Sequence, residues 1–465
     1  MTENIRFFTH LFVPFTIKEM VKVLALGKKR NKFLCFALVY SYLCAKFRTM
    51  RYSVILLLCL FTTLVGCKKD DTTPPHHYDR TVLVYIAAEN NLSPYINYEM
   101  EEIAEGSKDL GNNALVIFVD GTYGKSYIMR MENGERQDVC TFDDDNLSSD
   151  PKMMRYIINY TKENFPADEY GMVLWGHASG WEVGDSVAAS RQMKAYGIDT
   201  GNNTQDLVGK WMNMYTLAST LKEWGQPLRF IFADCCQFQC IESAYELRAT
   251  TDYIIGSPAE IPGVGAPYDL IIKHFFSKDE SFYEKIVDHY FAQLSYGYTG
   301  RARTPLSVIK TSTLPQLAEA THEALQTFLP MSEGQYPNMN GLIYYRGKLT
   351  FPAASTMYDM NDFMLHKTDS ATYANWKKAF DDVVIYKKHP APGDGWMTNE
   401  LPSGTPVFSY MTDERYGGVS MFVPQNRSGS AYLPYRSYGV QYDGYNAEIK
   451  NTSWYWAARL NELGW

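Results

Sequence analysis

Five almost unbroken apolar runs recur along the chain, separated by stretches of helical periodicity. They are TVLVYIAA (81–88), LVIFVDG (115–121), MVLWGH (172–177), LRFIFADCC (228–236) and DYIIGS (252–257). A strand with one face in water alternates apolar and polar residues. A strand apolar on both faces must be covered on both, which a mostly parallel sheet sandwiched by helices achieves. Helical patterns at 93–106, 149–164, 214–224 and 241–250 supply that cover, and more follow at 281–294 and 314–329 around the run PLSVIKT (305–311). SYIMRMENGERQDVCTF (126–142) reads as a hairpin turning at Asn133-Gly134. The fold class is therefore α/β. From about residue 335 the chain becomes rich in Tyr, Gly and Pro, with short runs such as GGVSMFVP (417–424), and reads as a C-terminal mixed α+β lobe. At 465 residues and 46% hydrophobic content, one large or two ordinary domains can bury a substantial core.

The N-terminus is of another kind. MRYSVILLLCLFTTLVGC (50–67) has a short cationic start, an apolar segment and small residues before a cysteine, the layout of a secretory signal. The apolar part is shorter than the ~20 residues that span a bilayer. Its L-V-G-C ending resembles a bacterial lipobox, which implies cleavage before Cys67 and lipid on that sulfur. Met50 is then the better initiator. Residues 1–49 are expected to be an over-extended start, 50–66 a lipoprotein signal peptide and 67–80 a polar tether. The mature protein would be lipid-anchored in the bacterial cell envelope, at the outer membrane or cell surface. Losing residues 1–66 removes ten Lys/Arg and two Asp/Glu, so the formal charge falls from −8 to −16. So acidic a surface argues against nucleic-acid partners.

Of the cysteines beyond Cys67, Cys235, Cys236 and Cys240 lie within six residues and Cys140 stands apart. A disulfide framework uses scattered cysteines in a small domain, and a zinc site needs separated ligand pairs. Neither pattern is present, so no metal site is expected. In open α/β sheets functional residues gather at the carboxyl ends of strands. One run ends in Trp175-Gly176-His177-Ala178-Ser179-Gly180-Trp181, another in Ala233-Asp234-Cys235-Cys236. If their strands are neighbours, an imidazole and a thiol share one rim. A thiolate is the nucleophile, a histidine can take its proton and return one to a leaving amine, and backbone N–H groups at Ala178 and Cys236 can hold an oxyanion. A helix starting at the cysteine would also lower the thiol pKa. Residue types alone leave structural roles open, since lone histidines and buried cysteines are common.

YIAAENNL (85–92), VLWGHASGW (173–181), FADCCQFQCIESAYEL (232–247) and GVSMFVP together resemble the clostripain family of cysteine peptidases, which has a caspase-like (caspase/hemoglobinase) fold. The likeness runs from about Thr81 to Trp465. It implies a peptidase domain over 81–334 and the lobe over 335–465. The family's W-G-H-G-x-G-W block aligns its catalytic histidine with His177. Counting back from Glu242 in E-S-A-Y-E-L puts the nucleophile on Cys236 and the family's aspartate on Asp234, with Cys235 in an alanine position. Ala178 departs from the family glycine, and a position needing positive φ would then cost about 1–2 kcal/mol.

The resemblance implies a cysteine endopeptidase that forms a thioester acyl-enzyme and cuts after Arg or Lys, with Asp234 in the substrate pocket. Asp234 can alternatively cap the following helix. Ser257 and Glu260, in GSPAEIPGVGAPY (256–268), can line the same pocket. Self-cleavage in the loop 185–205 would fall at Arg191 or Lys194. Asn90 and Asn91 are either cleft residues or turn residues. Calcium enters by resemblance only, because no Asp-rich loop has ligand spacing. The expected state is a monomer acting on protein or peptide substrates, touching the membrane through its lipid. The competing readings are a non-catalytic surface-lipoprotein binding module on the same fold, a Cys-dependent amidase acting on a non-protein substrate, and a ligand- or glycan-binding role for the C-terminal lobe.

Overall fold

The structure, a computed structural model, describes residues 75–465 except 123, 143–146, 182–195, 202–209, 298–299, 328–336, 347–356, 392–394, 397–411 and 425–447. The expected signal peptide, Cys67, Arg191 and Lys194 lie outside the described residues.

Nine strands form the central sheet. In chain order they are β1 (Tyr78–Ala88), β2 (Asn113–Gly121), β3 (Tyr127–Glu132), β4 (Glu135–Thr141), β5 (Ala167–Gly176), β8 (Leu228–Asp234), β9 (Thr251–Gly256), β12 (Leu306–Lys310) and β15 (Val384–Lys388). Two-residue to four-residue strands elsewhere are β6 (Tyr196–Asp199), β7 (Lys210–Met212), β10 (Ser295–Gly297), β11 (Gly300–Ala302), β13 (Tyr344–Arg346), β14 (Met357–Asp359) and β16 (Ser420–Met421). The sheet order is β15-β12-β9-β8-β5-β1-β2-β3-β4. The middle five strands are parallel, and antiparallel pairs close both edges. All five apolar runs are these parallel strands.

Both faces are covered because both are apolar. Leu83, Tyr85, Val116, Phe118, Met172 and Leu174 pack under the helices Pro151–Asn164, Met214–Leu221, Ile241–Leu247 and Leu314–Gln326. Val84, Ile86, Ile117, Val173, Trp175 and Phe232 face the helices Ile96–Gly106, Tyr268–Phe275 and Phe282–Ala292. Local signals set the element ends. Asn133 (φ 53) and Gly134 (φ 82) make the turn of the β3–β4 hairpin. Asp150 accepts from the Lys152 N–H at 2.8 Å ahead of Pro151, which starts that helix two residues later than its pattern suggested.

The chain beyond residue 335 is mixed α and β, and it donates β15 to the edge of the central sheet beside β12. Residues 75–465 form one compact unit. Among the described residues no helix is long and apolar enough to cross a membrane.

Candidate active site

The connection from β1 to β2 runs to one side of β1 and the next parallel strand, β5, lies on the other. The strand order thus reverses here, where clefts form in open α/β sheets. In the β5–β8 register Trp175 faces Asp234. His177 and Cys236 each lie two residues beyond that row, so adjoining strands deliver them to the same rim. Both side chains are half-buried.

Asn91, exposed past the end of β1, places its Oδ1 2.6 Å from His177 Nε2. That contact puts the ring proton on Nε2 and the lone pair on Nδ1. The Trp211 ring lies 6.5 Å from the imidazole, centroid to centroid. Asn90 instead holds the turn: its amide donates to the carbonyls of Ala87 (3.2 Å) and Ile198 (2.8 Å), and its Oδ1 accepts from the Leu92 N–H. The carbonyl of His177 accepts from Gly197 at 2.8 Å. Ala178 bridges Tyr196 and is not among the residues with positive φ, so the missing glycine strains nothing. Gly180 does need to be glycine: its φ is +75, and a Cβ there would sit 3.0 Å from the Gln237 carbonyl oxygen.

The twin cysteines point to opposite sides. Cys235 is fully buried and donates to the Leu174 carbonyl at 2.9 Å, and burial drives its thiol pKa well up. Cys236 receives the Ile261 N–H on its sulfur at 3.5 Å. The expectation of a helix start and a lowered thiol pKa at Cys236 is overturned. Gln237 turns left-handed (φ 56) and the helix begins only at Ile241, capped by Cys240. With no helix terminus to help, burial first and then the Glu260 carboxylate push the Cys236 thiol up to about 12. The four described cysteines are all free.

Asp234 caps no helix, because Cys240 holds that position. Only 2% exposed, it accepts from the Tyr290 hydroxyl (2.9 Å) on Oδ1, and from the Tyr268 hydroxyl (3.0 Å) and the Ala266 N–H (2.9 Å) on Oδ2. Burial raises its pKa to about 6 against the pull of those donors. Ser257 is buried, its hydroxyl taking the Ala259 N–H. Glu260 lies close enough to Cys236 to raise its pKa and is half-buried.

Three buried carboxylates from distant parts of the chain meet beside this rim. Glu89, Asp120 and Asp199 each bring one oxygen within 4.8 Å of the others. The Ser148 N–H donates to both Asp120 (3.0 Å) and Asp199 (2.7 Å). Burial and Asp199 raise Asp120 to about 8. An all-oxygen set suits a hard divalent cation, so these residues can hold one. Nothing in the linear spacing revealed them. Asn91 had a visible signal, its place just past a strand end. So did Glu99, which occupies the buried stripe of its helix with Ile103 and Gly106.

Fold and rim together define the class: an open, mostly parallel α/β sheet with a thiol and an imidazole at adjoining strand ends. The sequence profile of the Clostripain family matches residues 84–459. The chain belongs to that family of cysteine peptidases. Clostripain of Hathewaya histolytica is 23% identical over 219 residues, 41% of this chain and 41% of that protein. The chain thus spans about two fifths of that curated relative. A secreted C11 cysteine protease of Bacteroides thetaiotaomicron, solved with an irreversible peptide inhibitor, superposes with a TM-score of 0.64 at 26% identity, over 83% of this chain and 99% of that one. An inactive zymogen C11 protease of Parabacteroides distasonis gives 0.63 at 26% identity over the same shares. The fold is caspase-like, as the resemblance implied.

Proposed function

We propose that this chain is a cysteine endopeptidase cutting after Arg or Lys, with Cys236 as nucleophile and His177 as its proton carrier. The observation that carries this reading is the shared register, which sets both residues two positions past one row of the β5–β8 pair. The Cys236 sulfur attacks the scissile carbonyl carbon as its proton passes to His177 Nδ1. The N–H groups of Ala178 and Cys236 face the oxygen that becomes negative. The C–N bond then breaks, the imidazolium protonates the leaving amine, and a thioester remains. Water adds to the thioester, gives its proton to His177, and the sulfur departs. Asp234 is the acidic floor of the pocket for the residue before the cut.

Burial and the Glu260 carboxylate raise the Cys236 thiol pKa in this form of the chain. We read the chain as activated by self-cleavage after Arg191 or Lys194, as the family resemblance implies. An active protein that remains one intact chain would remove that part. The lipid-anchored, envelope-facing state implied by the 50–67 segment belongs to the same proposal, as does the monomeric state.

The test uses the purified chain with Arg-, Lys- and Ala-terminated amide reporters, comparing wild type with Cys236→Ala and Cys235→Ala. Activity should vanish in the first variant and persist in the second. Loss in the Cys235 variant alone would move the nucleophile, and no activity in any form would favour a binding module.

A further inference from the structure

A cavity of about 270 Å³ lies between the helices Met214–Leu221 and Ile241–Leu247 and the residues just before Ser453. Trp181, Met214 and Tyr215 give it apolar walls, and Glu242, Glu246 and Thr452 give it polar ones. None of the rim residues described above lines it. It opens beside Tyr215, which is 63% exposed. Its volume falls below the roughly 300–1,000 Å³ of sites for drug-sized molecules and suits a group no larger than one side chain.

Most polar groups on these walls are already engaged. Glu246 accepts from the Ser453 N–H (2.5 Å) and the Ser453 hydroxyl (3.0 Å), and the Thr452 hydroxyl donates to the Ile449 carbonyl (2.8 Å). Glu242 differs. It is 1% exposed; its Oε1 accepts the Phe422 N–H at 2.8 Å, while its buried Oε2 has no hydrogen-bond partner. Burial raises its pKa to about 7 against the pull of the Phe422 N–H and of its own backbone N–H. A buried carboxylate that ionises needs a further donor, and the cavity it lines is where one can enter. No Lys or Arg among the described residues lines that cavity. The Trp181 ring, braced by Phe422 at 5.1 Å, and the Tyr215 ring add aromatic faces, which attract cations.

We propose that this cavity binds an organic cation, an ammonium or guanidinium group that donates to Glu242 Oε2 and packs against Trp181 and Tyr215. Two carboxylates in one small cavity exclude an anion, and a neutral alkyl chain leaves Glu242 without its donor. A free amine or guanidine and a basic side chain on a peptide present the same group.

The full chain is titrated calorimetrically with n-butylguanidine, n-pentylamine and the neutral n-pentanol. Wild type is compared with Glu242→Gln, Tyr215→Ala and Asp234→Asn. Both cations should bind saturably with Kd of about 1 mM or tighter, and pentanol at least tenfold more weakly. Glu242→Gln can keep the Phe422 bond, so it should fold, but it turns an amide N–H toward the cation and should weaken binding at least tenfold. Tyr215→Ala, at an exposed position that folding does not need, should weaken it about threefold or more. Asp234→Asn should leave it unchanged. A capped Gly-Arg-Gly peptide that displaces butylguanidine from the Asp234→Asn protein identifies a peptide side chain as the occupant; failure to displace it identifies a free cation. Pentanol binding as tightly as pentylamine would make the cavity merely apolar and overturn the proposal. So would affinity unchanged in both Glu242→Gln and Tyr215→Ala. Binding lost in Asp234→Asn but kept in Glu242→Gln would place the cation in the substrate pocket instead.

Discussion

In the proposed mechanism, Asn91 sets which nitrogen of His177 is the base. Asn91 accepts from Nε2, so it fixes the tautomer that leaves Nδ1 basic. Replacing Asn91 by alanine should lower kcat by an order of magnitude or so, with KM little changed, because it positions the base and does not bind substrate. The kcat–pH profile should shift as well; an unshifted profile with full kcat would show that the contact is idle. Asp234 carries a second pH signature. Its carboxylate is charged above about 6 and neutral below. Cleavage after Arg should therefore fall off as pH drops through about 6, while cleavage of a citrulline reporter does not. Parallel profiles for the two reporters would remove Asp234 from cation recognition. The sequence named His177, Cys236 and Asp234 because strand ends and motif spacing are linear properties. It ranked Asn91 no higher than Asn90, since two adjacent asparagines in a turn differ only by which way the folded chain points each one.

At the scale of elements, the β5 exit is built around a sharp local demand. Gly180 is left-handed and abuts the backbone of the segment that carries Cys236. Gly180→Ala would have to adopt φ +75 and displace either that backbone or the methyl end of Met357, 2.5 Å from the new Cβ. A stability loss of about 1–3 kcal/mol is expected in denaturant titration, with activity reduced beyond the unfolded fraction. A midpoint equal to wild type would mean that the two segments shift apart freely. The strands were legible at this scale because apolar runs on both faces leave few alternatives. So was the helix after Cys236, read over 241–250 and found to begin at Ile241. The turn between Cys236 and that helix was not: Gln237 is held left-handed by its N–H bond to the Ala259 carbonyl, a contact across 22 positions.

Across the whole molecule, buried carboxylates set the response to pH. Glu99 (about 10), Asp120 (about 8), Glu242 (about 7), Asp234 and Asp359 (each about 6) are all raised, every one chiefly by burial. A carboxyl whose folded pKa exceeds its unfolded value holds a proton that the unfolded chain has already released. Stability from each is full below the unfolded value near 4 and declines as pH rises toward the folded one, at up to roughly 1.4 kcal/mol per pH unit per group. The melting temperature should therefore fall between pH 5 and 8, and Glu99→Gln should flatten that slope. A melting temperature that climbs over this range would contradict the burial of these groups in their charged-averse settings. Composition and periodicity by themselves determined the layered α/β plan, the five parallel strands and the two strand ends that bear His177 and Cys236, because burying both faces of a strand constrains every residue along it. Only the tertiary structure decided which asparagine meets the histidine, and that Glu99 stands beside Asp234. Those are contacts between residues far apart in the chain, and they depend on how strand register and loop backbone aim each side chain, which no local pattern encodes.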